Sequence, residues 1–97
     1  MGKEENAVEK YLHQKIVAMG GTTRKWVSPG HVGVPDRIVV VPEGRVFFVE
    51  VKTDKGKLSV RQQREMETLA TLGCDCHVVR GHNGVDAFIR GIDASAV

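Results

Sequence analysis

Two cysteines, three prolines and five aromatic residues are all that 97 residues hold of those types. The cysteines, Cys74 and Cys76, form Cys-x-Cys, with His77 and His82 after them. Structural zinc sites space paired cysteines by two to four residues, so this pair is a poor match. A disulfide between i and i+2 is strained. The two thiols therefore read as small, buried apolar groups on one face of a strand. No apolar run approaches the roughly 20 residues that span a bilayer. The opening Met1-Gly2-Lys3-Glu4-Glu5 lacks an apolar signal core, so the expected location is the cytoplasm. Gly2 is no myristoylation site, because position 6 is Asn6. Repeats, low-complexity stretches and internal linkers are also missing. What remains is one ordinary globular domain over 1–97, with 1–3 and 92–97 expected to fray.

A net charge of +2 is too small to announce nucleic-acid binding. Its distribution says more. Lys52, Lys55, Lys57, Arg61 and Arg64 fall within thirteen residues, with only Asp54 against them. A charge run alone is usually a solvated face. This one begins at a lysine with a chemical role argued below, which favours phosphate contacts.

Residues 4 to 19 carry an apolar stripe, Val8, Leu12, Ile16 and Met19 with Tyr11 beside it, and predict a helix ended by Gly20-Gly21. Thr22 to Val27 predicts a strand, and Ser28 to Val34 a loop with Pro29, Gly30 and Gly33. Two apolar runs, Arg37 to Val41 and Arg45 to Val51, suit strands buried on both faces. Pro42-Glu43-Gly44 joins them as a tight hairpin, Gly44 being suited to positive φ. Thr53 to Leu58 is a polar loop. Ser59 to Leu72 predicts a second helix, with Met66, Leu69, Ala70 and Leu72 as core. His77 to Arg80 is a fourth strand, and Asp86 to Arg90 a short closing helix. The order α-β-β-β-α-β plus a small helix predicts an α/β domain with a central mixed sheet flanked by helices.

The chemistry lies in Pro35-Asp36 and Glu50-Val51-Lys52. With a three-residue turn, Val41 pairs with Arg45, paired positions sum to 86, and Asp36 lies opposite Glu50. A two-residue turn sets Asp36 opposite Val51 instead, still close to Glu50. Strand alternation puts Glu50 and Lys52 on one face and Val51 on the other. Facing carboxylates repel each other across a hairpin, and a bound cation reverses that. Mg²⁺, or Mn²⁺ in its place, takes hard oxygen ligands and binds through one or two carboxylates plus substrate phosphates. Asp36, Glu50 and the Val51 carbonyl fit. The metal would activate a water against a phosphodiester. Lys52 would orient that water, stabilise the transition state, or act as a base with a lowered pKa. The bland alternative is a charged strand end, with Glu50 and Lys52 as a surface pair and Asp36 as a cap.

Pro35-Asp36…Glu50-Val51-Lys52 resembles the PD-(D/E)XK nuclease superfamily. More closely, the chain resembles its VRR-NUC (virus-type replication-repair nuclease) family. The likeness rests on Gly33-Val34-Pro35-Asp36-Arg37, Gly44-Arg45-Val46-Phe47-Phe48-Val49-Glu50-Val51-Lys52 and Gly56-Lys57-Leu58-Ser59-Val60-Arg61-Gln62, then Gly73. It runs from Glu5 to about Val79. The resemblance implies a restriction-endonuclease-like αβββαβ fold and often a phage source. It also implies similarity to Holliday junction resolvases, hydrolysis leaving a 5′-phosphate and 3′-hydroxyl, and a homodimer. A glutamate from the first helix is implied as a metal ligand and maps to Glu5, with Glu4 as the alternative. Both acids also suit a helix N-terminus. An implied glutamine maps to Gln62, with Gln63 as the alternative. Gln62 also completes a capping box with Ser59.

Arg37, Lys55, Lys57, Arg61 and Arg64 are the expected DNA contacts. His31 reads as an exposed loop histidine, and Trp26 as a packing or interface residue. No added DNA-binding domain accompanies the motif, so substrate choice falls to this domain or its oligomer. The leading expectation is a Mg²⁺-dependent endonuclease acting on branched DNA in repair, recombination or replication. The alternatives are a less selective flap or nicking nuclease, and a catalytically silent DNA-binding module.

Overall fold

The computed structural model describes residues 3–94. The stripe Val8, Leu12 and Ile16 makes α1 (Lys3–Ala18) bury one face, and Tyr11 and Met19 pack against that core. Gly20 closes the helix at φ 89°, and the amide of Gly21 bonds back to the Ile16 carbonyl at 2.9 Å. A Cβ on Gly21 would stand 2.4 Å from the Val40 carbonyl oxygen, so only glycine lets the exit of α1 lie this close to the sheet.

Four strands follow: β1 (Thr22–Lys25), β2 (Arg37–Val41), β3 (Arg45–Lys52) and β4 (Cys76–Arg80). Their spatial order is β1-β2-β3-β4, antiparallel at the first two junctions and parallel between β3 and β4. The mixed sheet is therefore as the sequence predicts. Of the two registers the sequence leaves open, the structure takes the first, since Val41 pairs with Arg45 across a short 3-10 turn, Pro42–Gly44. That turn takes two successive left-handed residues, Glu43 and Gly44, both at φ 74°. The sequence supplies one glycine for two such places, so Glu43 adopts the second.

Two helices complete the fold: α2 (Val60–Thr71) and α3 (Gly81–Ala94). The core joins Val8, Leu12 and Ile16 of α1 to Val39, Val41, Phe47, Val49, Val51 and Val79 of the sheet and Val85, Phe88 and Ile92 of α3. The short closing helix expected at Asp86–Arg90 is thus a full α3. Ile92 is 2% exposed, which corrects the expected fraying of 92–94. Val85, Phe88 and Ile92 lie at i, i+3 and i+7, and that apolar stripe outweighs Gly81, Gly84 and Gly91. Lys3 is already helical, while 1–2 and 95–97 lie outside the described residues.

The opposite face of the sheet is only partly covered. Helix α2 packs mainly against β4 and buries none of its residues fully. Met66 and Leu69 are half-buried, Ala70 is exposed and Leu72 is 75% exposed, so the expected core stripe of this helix is corrected. Strands β2 and β3 are likewise not buried on both faces. Val39, Val41, Phe47 and Val49 are buried, whereas Ile38, Val40 and Phe48 are half-buried and Val46 is 42% exposed. One helix over one edge leaves the middle of that face open. Strand β1 also stops earlier than expected, with Trp26 and Val27 beyond it. The cysteines are free and half-buried rather than buried.

Candidate active site

Pro35 is buried and Asp36 follows it immediately before β2. The Asp36 carbonyl accepts the Trp26 amide at 2.9 Å, and its carboxylate Oδ2 accepts the Val51 amide at 2.8 Å. Extending the β2–β3 register by one step sets Asp36 opposite Glu50. The side chain of Val51 is meanwhile buried in the core. Pairing and alternation therefore deliver Asp36 and Glu50 together, as the spacing predicts.

Glu50 is 2% exposed, a charge-bearing group sealed from water. Its Oε2 accepts Nε2 of Gln62 at 2.9 Å and lies 3.4 Å from Nζ of Lys52. Its Oε1 is buried with no hydrogen-bond partner. Burial, and next the nearby Asp36 charge, push the Glu50 carboxyl up to about 7 against a partial offset from Lys52. A buried acceptor without a donor is costly, and a divalent cation would satisfy it while cancelling the repulsion from Asp36. Two hard carboxylates with a free buried oxygen fit Mg²⁺ or Mn²⁺.

Gln62 both caps α2 and reaches Glu50. Ser59 Oγ accepts the Gln62 amide at 3.1 Å, and Gln62 Oε1 accepts the Ser59 amide at 2.9 Å. That capping box starts α2 and at the same time aims Nε2 of Gln62 at Glu50. Gln63 reaches only the Leu58 carbonyl, at 3.4 Å.

Glu5 does not join Asp36 and Glu50. It is half-buried in a shallow surface cleft with Lys3, Glu4 and Thr53. Among the described residues no three His, Cys, Asp or Glu side chains gather as a metal-binding group. The acid that α1 lays on the sheet is Glu9, 5% exposed, whose Oε1 accepts Nε of Arg37 at 2.9 Å. Sequence reasoning missed it. The signal was an acid standing between Val8 and Leu12 on the inner stripe.

Arg37 is accordingly not a free DNA contact. It pairs with the buried Val49, which turns its side chain to the α1 face and into the ion pair with Glu9. Lys55, Lys57, Arg61 and Arg64 are exposed. Arg61 and Arg64 line an open groove of about 430 Å³ with His31 and Val32 of the loop before β2. His31 is bonded to Glu65 at 2.8 Å, and Trp26 packs on Phe48 with ring centres 5.3 Å apart.

Comparison with known proteins agrees with this fold. The VRR-NUC domain family model matches residues 3–83. The chain belongs to the VRR-NUC family. A relative named "Putative nuclease p44", from Acyrthosiphon pisum secondary endosymbiont phage 1, is 44% identical over 69 residues, covering 71% of this chain and 74% of its own. A solved VRR-NUC domain superposes with a TM-score of 0.87 at 36% identity, over 92% of this chain and 97% of that one. A second, described as a VRR-NUC domain protein, shares the fold with a TM-score of 0.70 at 18% identity, over 93% and 88%. No helix of this VRR-NUC domain, among the described residues, is long and apolar enough to cross a membrane.

Proposed function

We propose that this VRR-NUC domain is a Mg²⁺-dependent DNA endonuclease, with Mn²⁺ able to substitute, that hydrolyses phosphodiesters in branched DNA such as four-way junctions. The observation that carries the reading is the unpartnered, buried Oε1 of Glu50 beside Asp36 and Lys52. Asp36 and Glu50 would hold the ion, with the Val51 carbonyl as a third oxygen donor. Bound there, Mg²⁺ supplies a lowered pKa for its water and charge neutralisation at the scissile phosphate.

The chain's own groups do the rest. The Val51 amide holds one oxygen of Asp36, so that carboxylate is oriented before substrate arrives. Gln62 and Lys52 hold Oε2 of Glu50 and leave Oε1 unpartnered, where it would be available to a bound ion. Lys52 carries its positive charge where negative charge develops on the phosphate oxygens, and it can hydrogen-bond the attacking water. Lys55, Lys57, Arg61 and Arg64 offer sequence-independent contacts to the DNA backbone.

A homodimer follows from the junction reading, because two symmetric cuts require two equivalent sites. The open apolar patch of Ile38, Val40, Val46 and Phe48 supports self-association. A cleavage panel of four-way, flap, nicked and linear DNA with Mg²⁺ or Mn²⁺ tests the specificity. Paired symmetric incisions in the four-way substrate are expected. Scattered single nicks across the panel would replace this reading with a flap or nicking nuclease.

A further inference from the structure

Lys52 ends β3 on the same face as Glu50, and the parallel ladder sets it beside Arg80 at the end of β4. Between them the chain turns back through Thr53–Leu58. The amide of Gly56 bonds to the Thr53 carbonyl at 3.1 Å, which makes this segment a tight turn. Nε of Arg80 donates to the carbonyl of Gly56 at 3.0 Å. Gly56 in turn lies directly against the lysine stem. A Cβ there would stand 3.0 Å from Cβ and 3.3 Å from Cδ of Lys52. The Lys52 side chain is 13% exposed, low for a lysine next to a polar loop.

We infer that Arg80 is a positioning residue for Lys52. It draws Gly56 over the lysine stem and so holds Nζ near Glu50. The inference rests on the nuclease reading, in which Lys52 acts at the phosphate. The guanidinium suits the task because its planar fork fixes direction as well as distance. Glycine suits position 56 because any side chain would press on the stem. Gly56 is not among the positive-φ glycines, so alanine needs no left-handed backbone there, and its Cβ would press on the lysine stem and on the Thr53 amide nitrogen 3.2 Å away. A flexible lysine has several rotamers to lose, and a wall along its stem removes them before substrate arrives. Misplacement of a reacting group by about 1 Å can cost on the order of a hundredfold in rate.

The test is steady-state cleavage by Arg80→Gln, Gly56→Ala and Lys52→Ala, with melting temperatures and salt-dependent DNA binding alongside. Arg80→Gln and Gly56→Ala are each expected to lower kcat about tenfold with little change in KM. Melting temperatures should stay near wild type, because the Arg80 bond is exposed. Gly56→Ala alters no charge, so its kcat loss reports position alone and carries the test even if Arg80→Gln folds poorly. A raised KM at unchanged kcat in Arg80→Gln, with the salt slope of binding reduced by about one, would make Arg80 a phosphate contact and overturn the inference. Wild-type kinetics in Gly56→Ala would overturn it too. Full activity in Lys52→Ala would instead bring down the nuclease reading beneath it. Inactive Lys52→Ala beside fully active Arg80→Gln would defeat only the positioning role.

Discussion

Glu50 concentrates the tension in this molecule. Its carboxyl titrates near 7 in the folded chain against 4.5 for the free group. Between those values the folded state keeps a proton that the unfolded state has lost, so stability falls as pH rises through that window. The penalty is absent below about pH 4.5 and complete above about pH 7. Glu50→Gln should therefore stabilise the metal-free protein at pH 8, by at most about 3 kcal/mol, and make little difference at pH 4. Urea unfolding in EDTA at the two pH values checks this. Mg²⁺ should raise the wild-type midpoint and leave that of Glu50→Gln unmoved. The Asp36 and Glu50 pairing was readable from spacing, because strand register is arithmetic once the turn length is fixed. The acid that α1 lays on the sheet was not, since the resemblance points to Glu5 or Glu4 and Glu9 lies one turn beyond Glu5 on the same helix face. Breaking the Glu9–Arg37 pair with Arg37→Ala should destabilise the fold by about 1–3 kcal/mol, as a buried acid loses its charged partner. The salt slope of DNA binding should not change, because Arg37 faces α1 rather than the substrate side.

At the scale of elements, α2 joins its own cap and a contact to Glu50 on one side chain, Gln62. Ser59→Ala removes half of the capping box and should cost about 1 kcal/mol of stability. It should also lower kcat severalfold, because the same cap aims Gln62 at Glu50. A purely structural cap would lower stability and leave kcat alone, so kinetics measured well below the melting temperature decides. This helix start was legible as Ser59-x-x-Gln62. The extent of α3 was not. Gly81, Gly84 and Gly91 are poor helix formers, yet Val85, Phe88 and Ile92 bury a stripe that holds the helix to Ala94. The partial exposure of α2 was equally hidden. Its apolar stripe is real, but a stripe does not say how much sheet lies beneath it.

For the whole molecule, three helices cover one face of the sheet and part of the other. The strands looked doubly buried in sequence because both faces carry apolar residues, but the second face is only partly covered. A Val46→Glu substitution on that open face should shift a dimer toward monomer in sedimentation velocity and leave the monomer folded. On a four-way junction the same variant should turn paired incisions into uncoordinated single nicks. Unchanged sedimentation and unchanged paired cutting would place the dimer contact elsewhere.

Asp36, Glu50 and Lys52 are expected to act as one metal-dependent cleavage centre. A labelled four-way DNA junction, incubated with the protein in Mg²⁺ or in EDTA, tests it most directly, with Asp36→Ala, Glu50→Ala and Lys52→Ala alongside. Cleavage by the wild type in Mg²⁺ alone, and by none of the three folded variants, is the predicted result. Full cleavage by any one of them, or by the wild type in EDTA, would rule that centre out.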